Sequence, residues 1–233
     1  MSGQDLSHVI GGFGWSTNQC ANPAGATFYL DNIFFEYDPA LSPPPAPGPT
    51  FPVYTDAAAQ SNHYAPSGWM GDAEHPDRVS LTECWGDNPY SGETSIKVAY
   101  TQKIAGWAGI YWVHPANNWG ERPGGYDLQG ADRLTFWARS DTPGASVTFI
   151  VGGIGYDTDH NGNTICSSPS QPYPDSICPK IEHEATLQST WTKYTINLAE
   201  YTPDLSGVVG GFGWVTDAEV VFYLDDIVYE FDQ

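Results

Sequence analysis

The segment LTFWAR (134–139) contains side chains that could contact a ligand from one face of a predicted strand. Successive side chains of a strand point to opposite faces, so Trp137 and Arg139 share one face and the apolar residues between them share the other. An indole ring offers an apolar platform to the C–H face of a sugar, and a guanidinium donates hydrogen bonds to hydroxyl groups. The pair therefore suits carbohydrate binding. A second interpretation stays open, in which Trp137 covers the edge of a sandwich and Arg139 pairs with a surface carboxylate.

The densest aromatic segment is WAGIYWVHPANNW (107–119). Alternation groups Trp107 with Tyr111 and places both on the face opposite Trp112 and His114. We expect Trp107 and Tyr111 to lie in the core, while the second pair points outward. The candidate carbohydrate-binding residues in and beyond this segment are Trp112, His114, Trp119 and Tyr156.

The segment DTDHNG (157–162) matches the opening of a calcium-binding loop, with Asp157, Asp159 and Asn161 at alternate positions. Calcium prefers such carboxylate and amide oxygens. Ser168 occupies the twelfth position, where a calcium loop has a bidentate acid, and no flanking helix is predicted. An Asx-rich turn is therefore the favoured interpretation.

Catalysis has little support in the pattern of residues. Glycoside hydrolysis needs two carboxylates across a cleft. Candidate acids are present, but no spacing pairs them, and motifs such as GxSxG and HExxH are absent. The sequence predicts a protein that is not an enzyme, with a small glycoside hydrolase as the least favoured alternative.

The four cysteines form no CxxC pair, which disfavours a zinc site. Cys166 and Cys178 bracket a polar, Pro-rich loop, and a disulfide between them would stabilise it by roughly 3 kcal/mol. Cys20 and Cys84 lie in different segments and can pair only if the N-terminal segment docks on the main domain.

The chain is strongly acidic, with 28 acidic and 8 basic residues and a net charge of −20 in 233 residues. This charge disfavours nucleic acid and anionic membranes as partners and favours a neutral or cationic ligand. No apolar run is long enough to span a bilayer. We expect a secreted protein, and because no signal peptide precedes the first repeat, we expect the sequence to be a piece of a longer one.

An internal repeat relates residues 5–38 to residues 204–232. The copies share GGFGW and FYLD, and each predicts two strands joined by a loop. A Pro-rich linker spans 39–50. We therefore expect 51–233 to be a complete module whose last hairpin is the second copy, and 1–38 to be the closing hairpin of a preceding, truncated module. That hairpin could dock on the main domain, mediate self-association by strand exchange, or stay disordered.

Composition and alternation together favour an all-β fold. The chain has 25 Gly, 19 Pro and many aromatic residues, which suit strands and turns rather than helices. Alternating segments separated by turn signals predict a β-sandwich, or jelly roll, of two antiparallel sheets. The predicted strands are 95–101, 107–113, 133–139, 146–152, 192–198, 208–215 and 220–229.

The order of SGETSIKVAY, YDLQGADRLTFWARS, WTKYTINL and FYLDDIVYE resembles the β-jelly-roll carbohydrate-binding modules, above all the family 11 type and its relatives attached to glycoside hydrolases. The resemblance covers residues 51–233. It implies a secreted, non-catalytic module that binds β-glucan or a related plant or microbial polysaccharide and targets a parent glycoside hydrolase to it. An insertion at 157–180 departs from the family. The alternative is a structural or adhesive β-sandwich repeat of a secreted or cell-surface protein.

The resemblance also implies a structural Ca²⁺ ion. In the related modules a carboxylate of the last strand meets ligands near the first strand. Here that position falls on Asp225, with Asp56 and Glu93 as partners, and Asp31 is its counterpart in the first repeat copy. Ordinary acidic strand ends are the alternative.

Overall fold

A computed structural model describes residues 50–158, 164–166 and 170–231, together with residues 25, 27, 29 and 30. The chain divides between Gly48 and Pro49 into two units. The predicted preceding hairpin and most of the predicted linker lie outside the described residues and stay predictions. Everything that follows concerns the second unit.

Within the described residues the second unit forms thirteen strands: β1 (Thr50–Tyr54), β2 (Ala65–Gly71), β3 (Val79–Trp85), β4 (Ser95–Tyr100), β5 (Ala108–Val113), β6 (Arg133–Ser140), β7 (Ser146–Val151), β8 (Asp157–Thr158), β9 (Thr164–Ile165), β10 (Ile181–Thr186), β11 (Thr192–Asn197), β12 (Gly210–Thr216) and β13 (Val220–Glu230). Two single-turn 3-10 helices span Asp72–Glu74 and Leu198–Glu200. No helix in these ranges has the length and apolar character that a membrane crossing requires.

The strands form two antiparallel sheets. The first has the order β11-β6-β13-β4-β3, with β1 also paired to β13. The second has the order β10-β7-β12-β5-β2, and the two-residue strands β8 and β9 pair separately. Two sheets that share one core make a β-sandwich, which confirms the predicted all-β fold class.

The core lies between the inner faces of the sheets and is rich in aromatic rings. Trp112 of β5 meets Phe212 of β12 edge-on, with 5.5 Å between ring centroids. Phe136 of the first sheet contacts Phe212 of the second at 5.3 Å. Aromatic side chains of this kind bury roughly 150–250 Å² each and dominate the energetics of a core. The sequence alternates because each strand gives one face to this layer.

The second repeat copy joins the two sheets. Its strands β12 and β13 lie in different sheets and do not pair with each other, so the predicted hairpin over 204–232 is wrong for this copy. Trp214 of β12 instead faces Phe222 of β13 across the core, with 5.2 Å between ring centroids. Each strand buries its aromatic face against the other, which requires an arch rather than a hairpin.

Candidate functional site

The outer face of the second sheet arranges its side chains in two rows that cross all five strands. Cross-strand pairing defines the first, which we call the open row: Met70, Gly109, Val215, Thr148 and Glu184. The neighbouring row, which we call the covered row, is formed by Gly68, Tyr111, Gly213, Ile150 and Glu182. Adjacent strands lie about 4.8 Å apart, so each row spans about 19 Å.

Two loops bury the middle of the covered row. Trp119, from the loop after β5, packs edge-on against Tyr111 with 6.2 Å between ring centroids. Ile154, from the loop after β7, joins Tyr111 and Ile150 in a small apolar cluster. A Cβ at Gly68 would lie 3.3 Å from the Trp119 ring, so glycine lets the indole approach the sheet closely. This half of the face is therefore closed to a ligand.

Asp175 ties the loop after β7 to the sheet. Its buried carboxylate accepts N–H hydrogen bonds from Val209 (3.0 Å), Gly210 (2.7 Å) and Ile177 (3.0 Å). Burial raises the pKa of Asp175 to about 7, and the N–H donors oppose that rise. The Cys166–Cys178 disulfide closes the same loop, as predicted.

Three residues of the open row, Val215, Thr148 and Glu184, line a groove of about 500 Å³. The lining residues combine one indole with hydroxyl, carboxylate and ammonium groups: Trp107, Ser146, Thr148, Lys180, Glu184, Val215, Thr216 and Asp217. Trp107 stands at the rim just before β5 and is 43% exposed. An exposed indole beside hydrogen-bonding groups is the arrangement that suits a ligand with both apolar faces and hydroxyls.

A buried carboxylate orders the loop that carries Trp107. Asp72 is fully buried and accepts N–H hydrogen bonds from Ile104 (2.8 Å) and Ala105 (2.8 Å). The Asp72 N–H donates to the Trp107 carbonyl at 3.0 Å. Arg78 forms an ion pair with the same carboxylate at 2.9 Å. Hydrogen bonds to Asp72 therefore hold the loop both at Ile104 and Ala105 and at Trp107 itself.

Gly71 sets the position of the ring itself. Its φ of 61° lies in the left-handed region, and a Cβ there would lie 2.6 Å from the Trp107 carbonyl oxygen and 3.1 Å from its ring. The indole thus rests against glycine backbone, and a side chain at this position would displace it.

The charged groups of the groove are mostly acidic. Lys180 forms an ion pair with Glu182 at 2.8 Å. Burial lowers the pKa of Lys180, but the hydrogen bonds and charges of Glu182 and Tyr156 outweigh burial and leave the pKa raised. The Ser146 hydroxyl donates to Glu184 at 3.2 Å.

No family model matches the sequence, and no curated protein matches it. Solved structures do match in three dimensions. The family 30 carbohydrate-binding module of the Clostridium thermocellum cellulosomal cellulase Cel9D-Cel44B is 11% identical, with a TM-score of 0.50 over 79% of this chain and 98% of that chain. The family 11 module of Lic26A-Cel5E from the same organism is 14% identical, with a TM-score of 0.42 over 66% of this chain and 82% of that chain.

The chain has the jelly-roll fold of the carbohydrate-binding modules. At this level of identity the likeness concerns the fold alone. It agrees with the family resemblance drawn from the sequence, which is thereby confirmed at the level of architecture. Which residues bind a ligand has to be argued from the geometry of this chain.

The predicted outward placement of Trp112 and the predicted core placement of Trp107 are both wrong. Trp112 is fully buried in the core, while Trp107, on the opposite face of the strand, is exposed. Alternation separates the two sets correctly but does not tell which set faces the core, because both carry large aromatic rings. His114 lies at the far end of β5, where its ring packs on Tyr126 with 4.1 Å between centroids. It is not among the residues that line the groove.

Trp119 and Tyr156, two of the predicted carbohydrate-binding residues, lie in the loops after β5 and β7 respectively. Trp119 is half-buried against Tyr111. Tyr156 hydrogen-bonds Lys180 and so adjoins the wall of the groove. Of the predicted carbohydrate-binding residues, Tyr156 has the clearest connection to the open row.

Trp137 and Arg139 lie on the outer face of the first sheet, on the other side of the sandwich from the groove. Trp137 stacks on Tyr90 with 3.7 Å between centroids. The Arg139 guanidinium lies 3.7 Å from the Tyr223 ring and 5.3 Å from the Trp191 ring. Arg139 also pairs with Asp141 at 3.3 Å, which matches the second interpretation given to it from the sequence.

The predicted calcium ligands Asp56 and Asp225 meet at one loop. Asp225 is fully buried, and Asp56 follows β1. Their carboxylates accept hydrogen bonds at 2.8–3.2 Å from the Thr94 hydroxyl and from five backbone N–H groups: Tyr90, Ser91, Glu93, Thr94 and Asp226. The hydrogen bond that places Glu93 in this cluster uses its backbone N–H.

The charge of this cluster fits a cation, but its side chains do not complete a metal site. Burial raises the pKa of Asp225 to about 7 and, with the charge of Asp56, raises the pKa of Asp226. Across the described residues no basic side chain pairs with these three acids, and no three His, Cys, Asp or Glu side chains form a metal site. Backbone carbonyls or water would have to supply the remaining ligands.

The remaining predictions fall on residues that the structure does not describe. Asp159, Asn161 and the side chain of Asp157 are among them, as are Cys20 and Asp31. The calcium-loop interpretation and the Cys20–Cys84 pairing therefore stay predictions.

Several groove residues were missed from the sequence, namely Trp107, Thr148, Lys180, Glu184 and Asp217. One signal for the correct face was present. Gly109 shares the face of Trp107, and a glycine inside a strand often marks a site where another group approaches the backbone. Here the approaching side chains are Val215, which lines the groove, and Met70, which lies beside it in the open row.

Proposed function

We propose that this chain is a non-catalytic carbohydrate-binding module whose ligand lies in the groove above the open row. The observation that carries the proposal is the exposed indole of Trp107, held in place by Asp72 and Gly71 beside hydroxyl and carboxylate groups. The ring would stack on the C–H face of a pyranose while Thr148, Glu184 and their neighbours bind its hydroxyls.

The ligand class that we propose is a β-glucan or a related plant or microbial polysaccharide. The open row spans about 19 Å, a length that suits a few consecutive sugar units of an extended chain. In this role the module would hold a parent glycoside hydrolase on its substrate. The Cys166–Cys178 disulfide supports an extracellular location, because disulfides persist in oxidising compartments.

A bound calcium ion near Asp56, Asp225 and Asp226 belongs to the same proposal. It is supported by the three carboxylates that meet there without a basic partner among the described residues. The ion would stabilise the fold and would take no part in sugar recognition, because these residues do not line the groove.

The alternative function is a structural or adhesive repeat, and the outer face of the first sheet favours it. There the rings of Trp137, Tyr90, Trp191 and Tyr223 stack on one another or on Arg139. Most of these rings are half-buried by one another, and Tyr90 stays 40% exposed. If this alternative holds, the exposed ring of Trp107 binds no glycan.

Affinity electrophoresis of the whole chain tests the proposal. Gels containing soluble β-glucans, xylans or mannans should retard the protein on at least one polysaccharide, and no reducing sugar should be released. Unchanged mobility on every gel, with flat calorimetry against cello-oligosaccharides, would sink carbohydrate binding. Sugar release that is lost in Glu182→Gln or Glu184→Gln would instead establish a hydrolase.

A further inference from the structure

The acidic groups of the groove lie on two of its sides. Glu184 and Glu182 project from the same face of the edge strand β10, in the open and covered rows respectively. Asp217 directly follows β12 and lines the groove with Glu184. A ligand in the open row therefore lies between carboxylates rather than against one of them.

Among the described residues that line the groove, the one basic side chain already has a partner. Lys180 pairs with Glu182 at 2.8 Å and also hydrogen-bonds Tyr156. Glu184 and Asp217 form no ion pair in the described part of the chain. The groove thus retains two unpaired negative charges beside the Trp107 platform, in a chain whose net charge is −20.

We infer that the groove selects glycans by charge: it binds glycans with free amino groups more tightly than neutral glycans of the same linkage, and it rejects glycans with uronic acid groups. The inference rests on the proposed function, since it assigns a ligand class to the same site. A protonated amine would donate charge-assisted hydrogen bonds to Glu184 and Asp217. A uronate would bring a third negative charge to two carboxylates, and the basic side chain that lines the described part of the groove, Lys180, is already paired with Glu182.

The size of the effect follows from the exposure of the carboxylates. Both are solvent-exposed, so each ionic contact is screened. We expect an amino glycan to bind about three- to tenfold more tightly than its neutral counterpart at low salt. The advantage should disappear at high salt, while stacking on Trp107 should not.

Calorimetry with three matched hexasaccharides tests the inference on the whole chain. Cellohexaose is the neutral reference, the β-1,4-glucosamine hexamer replaces each 2-hydroxyl by an amine, and the β-1,4-glucuronate hexamer places a carboxylate at each C6. The titrations are run at about pH 5.5, where amines are protonated and Glu and Asp are mostly ionised. Each is run in about 20 mM and about 500 mM NaCl.

Four proteins distinguish binding by the groove carboxylates from attraction by the net charge of the chain. They are wild type, the double variant Glu184→Gln/Asp217→Asn, Trp107→Ala, and the control Glu200→Gln. Glu200 is an exposed acid in the 3-10 helix after β11 and does not line the groove. The preference for the amino hexamer should persist in the control and vanish in the double variant. Trp107→Ala should lose both hexamers that the wild type binds, cellohexaose and the amino hexamer, whereas nonspecific attraction of the amino hexamer would survive it.

Two results would overturn the inference and leave the proposed function standing. In one, the amino hexamer binds no more tightly than cellohexaose. In the other, its advantage persists in the double variant, so that the general charge of the chain is the cause. If none of the hexamers binds and the polysaccharide panel is negative, the proposed function itself fails.

Discussion

The two outer faces of this sandwich use their aromatic residues in opposite ways. On the first sheet the rings find partners within the protein, as when Trp137 stacks on Tyr90 and Arg139 lies against Tyr223. On the second sheet Trp107 is held from behind, by glycine and a buried carboxylate, and its outer face is open. An exposed aromatic residue indicates a binding site when the protein fixes its position without covering it.

The largest predicted effect is on stability, and it separates two tryptophans: Trp112 inside β5 and Trp107 just before it. Trp112→Ala should lower the free energy of unfolding by about 3–5 kcal/mol, because it empties a fully buried site in the core. Trp107→Ala should cost less than about 1 kcal/mol, because much of the ring is already exposed. Urea denaturation measures both. Similar losses in the two variants would contradict the assignment of faces.

The covered half of the second sheet should respond to pH through Asp175. Because burial raises the folded pKa of Asp175 to about 7, the folded state holds a proton that the unfolded state releases near pH 4. This contribution to stability is therefore lost as pH rises from about 4 to about 7, and amounts to a few kcal/mol at most. The stability of Asp175→Asn should fall less over that range than the stability of wild type. Parallel curves would show that Asp175 is ionised throughout.

Asp72 and Gly71, which position Trp107, should affect the affinity for the glycan. Asp72→Asn weakens the hydrogen bonds to the loop before the indole, and Gly71→Ala pushes against the ring. Each should weaken glycan binding about tenfold in calorimetry, a change of about 1.4 kcal/mol. Glu200→Gln serves as the control in the same titration. A Gly71→Ala variant that folds and binds like wild type would remove the argument that Trp107 must be fixed.

Removal of calcium should have the smallest effect. An ion bound only to the folded state stabilises by mass action, so EDTA should lower the melting temperature by a few degrees, and added Ca²⁺ should restore it. Glycan binding should survive the treatment at temperatures where the protein stays folded. Coincident melting curves with and without EDTA would argue against the site near Asp56 and Asp225.

Much of the fold was predictable because the strands of a sandwich alternate. All seven strands read from the sequence are present, with ends that differ by no more than two residues. The edge strands β2 and β3 were harder to recognise. The β2 sequence APSGWMG contains proline and glycine, which an edge tolerates, and its burial does not alternate cleanly.

The site was less predictable than the fold for two physical reasons. Alternation divides a strand into two faces without orienting them, and in β5 one face carries Trp112 and the other carries Tyr111. The loops that cover Tyr111 come from distant parts of the chain, so a tyrosine on the outer side of the sheet is nevertheless buried. The disulfide could be predicted, because Cys166 and Cys178 enclose a loop with little other support.

The central claim is that the open row, and not the first sheet, recognises the glycan. Calorimetry of wild type, Trp107→Ala and Trp191→Ala against a polysaccharide that retards the wild type tests it directly. Trp191 lies on the outer side of the first sheet, near Arg139, and serves as the matched control. The account predicts that Trp107→Ala loses binding while Trp191→Ala retains it. Full binding by Trp107→Ala, with binding lost in Trp191→Ala, would contradict the account and place the site on the first sheet.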